Sequence, residues 1–280
     1  MERLLPRVLL FALAACLPLV LVLAPIGTFL VLSFFHMENS QIVPSFWLAN
    51  YANFFRNWTY LGTFLGTLWL CTQVTAICML LGYPIAWFVW RRSGTLRYFL
   101  LLLTVLPLFM SYIVKLYTIR SVLGLNGLLN QVLVGLGILE KPSLLFMFNQ
   151  HAVLGTMAVL YIPFAILPIF LTLERIPANL MEASRDLGAS PWSTFRYVVF
   201  PLALPGTIAG ALFTFVLALG DFVTPQMVGG TTGFTFGRVI WSQFGLAYNW
   251  PFGAAMAAIL LATALLIIAL ASYSASRQRI

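Results

Sequence analysis

Residues 150–222 read QHAVLGTMAVLYIPFAILPIFLTL (150–173), ERIPANLMEASRDLGASPWSTFRYVVFP (174–201) and LALPGTIAGALFTFVLALGDF (202–222). An apolar run, a charged interval and a second apolar run follow one another, and that succession decides the fold. Each run can cross a hydrocarbon core of about 30 Å at about 1.5 Å per residue. Working outward, further runs occupy 8–35, 61–90 and 98–121 before this stretch and 252–273 after it. Lipid offers the backbone no hydrogen-bond partner, so spanning segments are helices or closed barrels. Barrel strands alternate polar and apolar residues, and these runs do not. The expected fold is an all-α polytopic membrane protein with six transmembrane helices, a single membrane domain over 1–280, and a cytoplasmic helical loop at 174–200 between spans four and five.

Composition agrees. Hydrophobic residues make up 61% of the 280 and charged residues 8%, against roughly 25% charged in soluble domains. The spans use most of the length and leave no room for a separate soluble catalytic domain. The formal charge of +8 does not indicate nucleic acid, because the basic residues form no clustered face. They sort by side of the membrane instead. Arg3, Arg7, Arg91, Arg92, Arg97, Arg175, Arg185, Arg196, Arg277 and Arg279 fall on one side of a six-span arrangement. Arg56, Lys115, Arg120, Lys141 and Arg238 fall on the other. That bias puts both termini and the 174–200 loop in the cytoplasm.

Cys16, Cys71 and Cys78 lie inside apolar runs and read as buried small hydrophobes. Leu13-Ala14-Ala15-Cys16 looks like a lipoprotein-type cleavage box, but the apolar run continues to Phe35, which suits an uncleaved first span. The aromatic-rich segment 45–60 suits a membrane interface. Residues 125–139 are too short to span and suit an interfacial or partly inserted helix. Residues 223–251, with Gly229, Gly230 and Gly233, read as a turn-rich outer loop. The pairs Gly62/Gly66 and Gly206/Gly210 permit close helix approach. Pro84, Pro107, Pro163 and Pro168 favour kinks. Lys115 and Lys141 belong to no Gly-rich phosphate loop, so this chain binds no ATP of its own. His36 and His151 have no metal-site spacing.

Within the charged interval, Pro177 can open a helix and Gly188 can close it in a left-handed cap. Leu180, Ala183, Ser184 and Leu187 recur at helical spacing as a narrow apolar stripe. Ser190 then caps a second helix begun by Pro191. Glu182 and Asp186, four residues apart on one face, repel by a few tenths of a kcal/mol, roughly, and Arg185 relieves part of this. Two readings stay open on this chemistry: a helix docking a soluble partner with a basic surface, or an amphipathic loop resting on headgroups.

This loop resembles the cytoplasmic "EAA" motif of binding-protein-dependent ABC importer permeases: Glu-Ala-Ala, three residues, Gly, nine residues, Ile-x-Leu-Pro. Glu182, Ala183, Gly188 and Pro201 are in register, with Ser184, Val198 and Phe200 as mild departures. Asn50-Tyr51 with Phe54-Phe55, Leu81-Gly82-Tyr83-Pro84 with Ala86-Trp87, Gly220 to Pro225 with Gly229-Gly230, and Trp250 to Gly253 are similar to the spermidine/putrescine-type branch.

The resemblance implies that Leu180, Glu182, Ala183, Ser184, Arg185, Asp186, Leu187 and Gly188 seat in a cytoplasmic ATPase, present in two copies and carrying the ATP and Mg. It also implies a second, homologous but different permease chain and a periplasmic solute-binding protein, all in a bacterial inner membrane. The expected cargo is a polyamine. An opine, an amino-acid-like solute or a small anion on the same architecture is the alternative, and an ion-driven secondary transporter is a more distant one.

Asp221, with Phe222 and Thr224, is the candidate substrate path. A carboxylate in a span costs about 2.5–3.5 kcal/mol at mid-membrane. It either meets a cationic solute or bonds backbone amides around Thr224 and Pro225.

Overall fold

The computed structural model describes residues 5–277, with side chains at 16 and 18–273. Arg3, Arg7, Arg277 and Arg279, used above for orientation, lie outside the described side chains. In chain order the elements are α1 (Leu5–Leu32), β1 (His36–Glu38), β2 (Gln41–Val43), α2 (Ala49–Arg56), α3 (Trp58–Trp90), α4 (Gly94–Val105) and α5 (Tyr112–Leu123). There follow α6 (Leu128–Gly135), α7 (Gln150–Glu174), α8 (Ala178–Asp186), α9 (Pro191–Thr194), α10 (Phe200–Gly220), α11 (Val223–Val228), α12 (Phe236–Gly245) and α13 (Trp250–Arg277). Among the described residues four helices are long and apolar enough to cross a membrane: α3, α7, Pro191–Gly220 and Trp250–Tyr273. A fifth crossing exists if a bent helix pair counts as one, and the apolar stretch of α1 with described side chains, Pro18–Leu32, is shorter than a span.

That bent pair replaces the single third span expected at 98–121, and the break falls just after Pro107, where a kink was expected. Gly94–Phe109 and Tyr112–Gly135 meet at 100°. Pro107 supplies no N–H, the chain tightens into a 3₁₀ turn at Leu106–Phe109, and Met110 (ψ 143°) and Ser111 (ψ 135°) are extended. Residues 223–251 are also more than a loop, since they contain α11 and α12. Residues 125–139 contain α6, followed by Gly137 at φ 72°. Cys71 and Cys78 are buried as expected, but Cys16 is exposed.

The chain divides into two compact units. One contains α1, β1, β2, α2 and Val239–Ala262. Here Asn50 donates from Nδ2 to the carbonyls of Ser33 (2.9 Å) and Phe35 (2.7 Å), satisfying backbone acceptors at the end of α1. Phe34 stacks on Phe46 at 4.9 Å. The hairpin β1–β2, in the register Met37↔Ile42, is a small exception to the all-α expectation. Asn39 and Ser40 turn it with φ of 49° and 64°, the left-handed pair that two-residue hairpins favour.

The other unit contains Gly62–Arg238 and the chain from Thr263 onward. Its centre is α7, buried along most of its length, with Val153, Met157, Ile169 and Leu173 wholly enclosed. Between helices in lipid there is no hydrophobic drive, so close van der Waals approach must hold them together. Gly206 and Gly210 of α10 provide it. A Cβ at Gly210 would stand 2.9 Å from the Ala165 carbonyl oxygen, and one at Gly206 would collide with the Pro168 carbonyl and Thr172. A Cβ at Gly66 would meet nothing within 4 Å, so Gly66 makes no such approach among the described residues.

Gly206→Ala should therefore destabilise the fold by about 1–3 kcal/mol through overpacking, read as a lower melting temperature in detergent. Gly66→Ala, with nothing within 4 Å of the new methyl, should leave the melting temperature unchanged or raise it.

Candidate functional site

The charged interval folds into a helix, a corner and a second helix. Pro177 is the cap residue of α8 rather than its first helical residue, with φ −63° and ψ 137°. At the other end Gly188 takes φ 74°. Its N–H donates to the Arg185 carbonyl at 2.8 Å, and the Ala189 N–H donates to the Ser184 carbonyl at 3.1 Å. These two bonds form a Schellman closure, which satisfies carbonyls left over at a helix end. Ser190 then accepts from the Ser193 N–H at 3.2 Å, and Pro191 opens α9.

The expected apolar stripe is split. Leu180, Ala183 and Leu187 are exposed, Leu187 by 87%. Ser184 instead points inward and is 8% exposed, its hydroxyl 2.8 Å from that of buried Thr194. Met181 packs on the same side, against the core around Phe170, Leu173 and Val199. The bond from Ser184 to Thr194 ties α8 to α9. It also explains why a serine is accommodated here: a buried hydroxyl needs a partner. The outward face thus presents Leu180, Glu182, Ala183, Arg185, Asp186 and Leu187, all exposed. Nearby, Arg97 of α4 pairs with Glu174 of α7 at 3.0 Å.

At the far end of α10, Asp221 is 7% exposed and accepts four hydrogen bonds. Oδ1 takes the N–H groups of Val223 and Thr224, each at 3.0 Å. Oδ2 takes the hydroxyls of Tyr112 (2.6 Å) and Tyr161 (2.8 Å). The Tyr112 hydroxyl also lies 2.6 Å from Thr224 Oγ1. The expectation that Asp221 bonds amides near Thr224 accounts for one oxygen, and the two tyrosines account for the other. Thr224 is wholly buried, and only Phe222 of the three path candidates reaches the surface.

Tyr112 and Tyr161 were missed from sequence, because 109 and 60 residues separate them from Asp221. Beyond the cluster, Arg238 donates to the Gly230 carbonyl at 2.7 Å, and Gly230 turns with φ 60°. Among the described residues no group of His, Cys, Asp or Glu is arranged to hold a metal.

Hydrogen bonds to a charged, buried acceptor are worth about 1.5–3 kcal/mol. Asp221→Asn and Tyr161→Phe should each lower the melting temperature in detergent, and their double-mutant cycle should give a coupling of about 1–3 kcal/mol. Strictly additive losses would contradict the network.

Comparisons with known proteins identify the family. The model of the family "Binding-protein-dependent transport system inner membrane component" matches residues 78–280. The inner membrane ABC transporter permease protein YdcU of Escherichia coli (strain K12) is 39% identical over 86% of this chain and 78% of its own length. The spermidine/putrescine transport system permease protein PotB of Haemophilus influenzae is 36% identical over 75% of this chain and 72% of its own. In fold, the chain is similar to the solved bacterial ABC transporter for import of the polysaccharide alginate, with a TM-score of 0.74 and 16% identity over 99% of this chain and 98% of that one. The chain belongs to the binding-protein-dependent transport system inner membrane component family, and is thus an ABC importer permease of the inner membrane, a transport subunit whose ATPase is a separate chain.

Proposed function

We propose that this chain and a second, different permease chain form the path of an ATP-driven importer for polyamines such as spermidine and putrescine. The observation that carries the mechanism is the outward face of α8, where Leu187 and Leu180 stand exposed among Glu182, Arg185 and Asp186 on a helix closed rigidly at Gly188. The polyamine assignment is supported by the identity with spermidine/putrescine permeases.

In this reading both termini and α8 are cytoplasmic. Two ATPase subunits, which hold ATP and Mg, receive the eight residues Leu180, Glu182, Ala183, Ser184, Arg185, Asp186, Leu187 and Gly188. Ser184 serves from within, by holding α8 to α9. A periplasmic binding protein delivers solute to the opposite side. ATP shifts the spans only because it binds the closed ATPase pair better than the open one; equal affinity would shift nothing. Along the path, Phe222 presents an aromatic face able to attract an ammonium group. Asp221 and Thr224 hold the turn that places it.

A strain lacking this chain and any redundant system should lose uptake of labelled putrescine or spermidine while other solutes enter normally. Undiminished polyamine uptake would remove the cargo assignment. Glu182→Lys should abolish ATP-driven uptake while the protein still inserts. Gly188→Arg should do the same, because a side chain at φ 74° adds roughly 1–2 kcal/mol of backbone strain. Normal uptake by both variants would overturn the docking role.

A further inference from the structure

Beside the corner between α8 and α9 lies a groove of about 380 Å³ that the transport reading does not use. Tyr83, Trp87 and Arg91 of α3 and its end form one wall, and Trp192 and Phe195 form the other. The aromatic rings are mutually braced: Phe195 meets Trp87 edge-on at 5.2 Å and stacks on Trp192 at 5.4 Å. Trp192 nevertheless remains 66% exposed. The one charged group in the lining is Arg91, whose guanidinium lies 5.8 Å from the Trp87 ring centre.

Arg92 and Arg196 follow the lining residues Arg91 and Phe195 in the chain. Arg91, Arg92 and Arg196 form no ion pair among the described residues, whereas Arg97 has Glu174 at 3.0 Å. Each of the three instead lies against a ring: Arg92 is 4.3 Å from Phe88 and Arg196 is 5.9 Å from Tyr197. Tryptophan and tyrosine concentrated where spanning helices end mark headgroup depth. The walls are mostly aromatic, with a single charge at the edge. An amphiphile meets what it needs, an apolar slot with a cation at its edge. Basic pockets between spanning helices on one side of a membrane bind acidic headgroups.

We propose that this groove binds one anionic phospholipid, its phosphate on Arg91 and an acyl chain between Trp87 and Trp192. Its second wall, Trp192 and Phe195, continues through the Ser184–Thr194 bond into α8. The lipid therefore braces the α8–α9 corner against the end of α3. This goes beyond the transport reading and does not depend on the cargo.

The test uses the full chain in nanodiscs of phosphatidylethanolamine with phosphatidylglycerol, followed by native mass spectrometry of the released protein. The wild type should retain one phosphatidylglycerol in preference to phosphatidylethanolamine. Arg91→Gln should reduce that preference about fivefold, the effect of one basic residue at a membrane surface. Trp192→Ala should weaken retention of both lipids. Arg56→Gln, in the other compact unit, should change neither, and equal melting temperatures would show that the variants are folded.

Equal phosphatidylglycerol preference in wild type and Arg91→Gln would overturn the proposal. Displacement of the lipid by added inorganic phosphate would assign the site to free phosphate and also overturn it. Loss of the lipid on addition of the ATPase subunits would assign the groove to them instead.

Discussion

The approach of α10 to α7 is the constraint on which the larger compact unit depends. Lipid tails are as apolar as leucine, so nothing pushes two leucine-covered helices together in a bilayer. Gly206 and Gly210 remove the side chains that would hold them apart, leaving backbone against Ala165 and the Pro168 carbonyl. Because α10 is one helix from Phe200 to Gly220, this contact positions both of its ends at once. The α8–α9 corner leads into one end, and Asp221 closes the other.

Helices α8 and α10 face the same physical problem at their C-terminal ends, which is to stop without leaving polar backbone unmet. The two solutions differ with burial. At the exposed end of α8, a left-handed glycine folds the chain back so that N–H groups reach the last carbonyls. At the buried end of α10, a carboxylate does the work, taking two amides of the next turn on one oxygen and two phenols on the other. The second arrangement also holds α5, whose first residue is Tyr112, against α7 and α11. The break at Met110–Ser111 thus ends at a hydrogen-bonded anchor.

What could be read from sequence was what is local. Pro177, Gly188, Ser190 and Pro191 act within a few residues of one another, so their caps follow from spacing, with Pro177 displaced by a single position. The closeness of Gly206 and Gly210 to a neighbour was legible too, though not which neighbour. Contacts between distant residues were not legible. Asp221 could be recognised as anomalous in an apolar run, but nothing near it in sequence points to Tyr112 or Tyr161. The hairpin at 36–43 was passed over because two three-residue strands carry too little alternation to register. Its only sign was an asparagine able to adopt a left-handed turn. Ser184 was read on one stripe with Leu180, Ala183 and Leu187, and its hydroxyl sets it apart from them only once Thr194 is seen opposite.

Between α9 and α10 the backbone makes a wider turn at Phe195–Val199, with the Phe200 N–H reaching back to the Phe195 carbonyl. Such a turn holds one residue more than a regular α-helix would. Each residue in a helix advances the azimuth by about 100°. The surplus residue therefore acts as a fixed angular offset between α9 and α10, and shortening the chain there by one position would swing Trp192 and everything anchored through it to a different compass bearing.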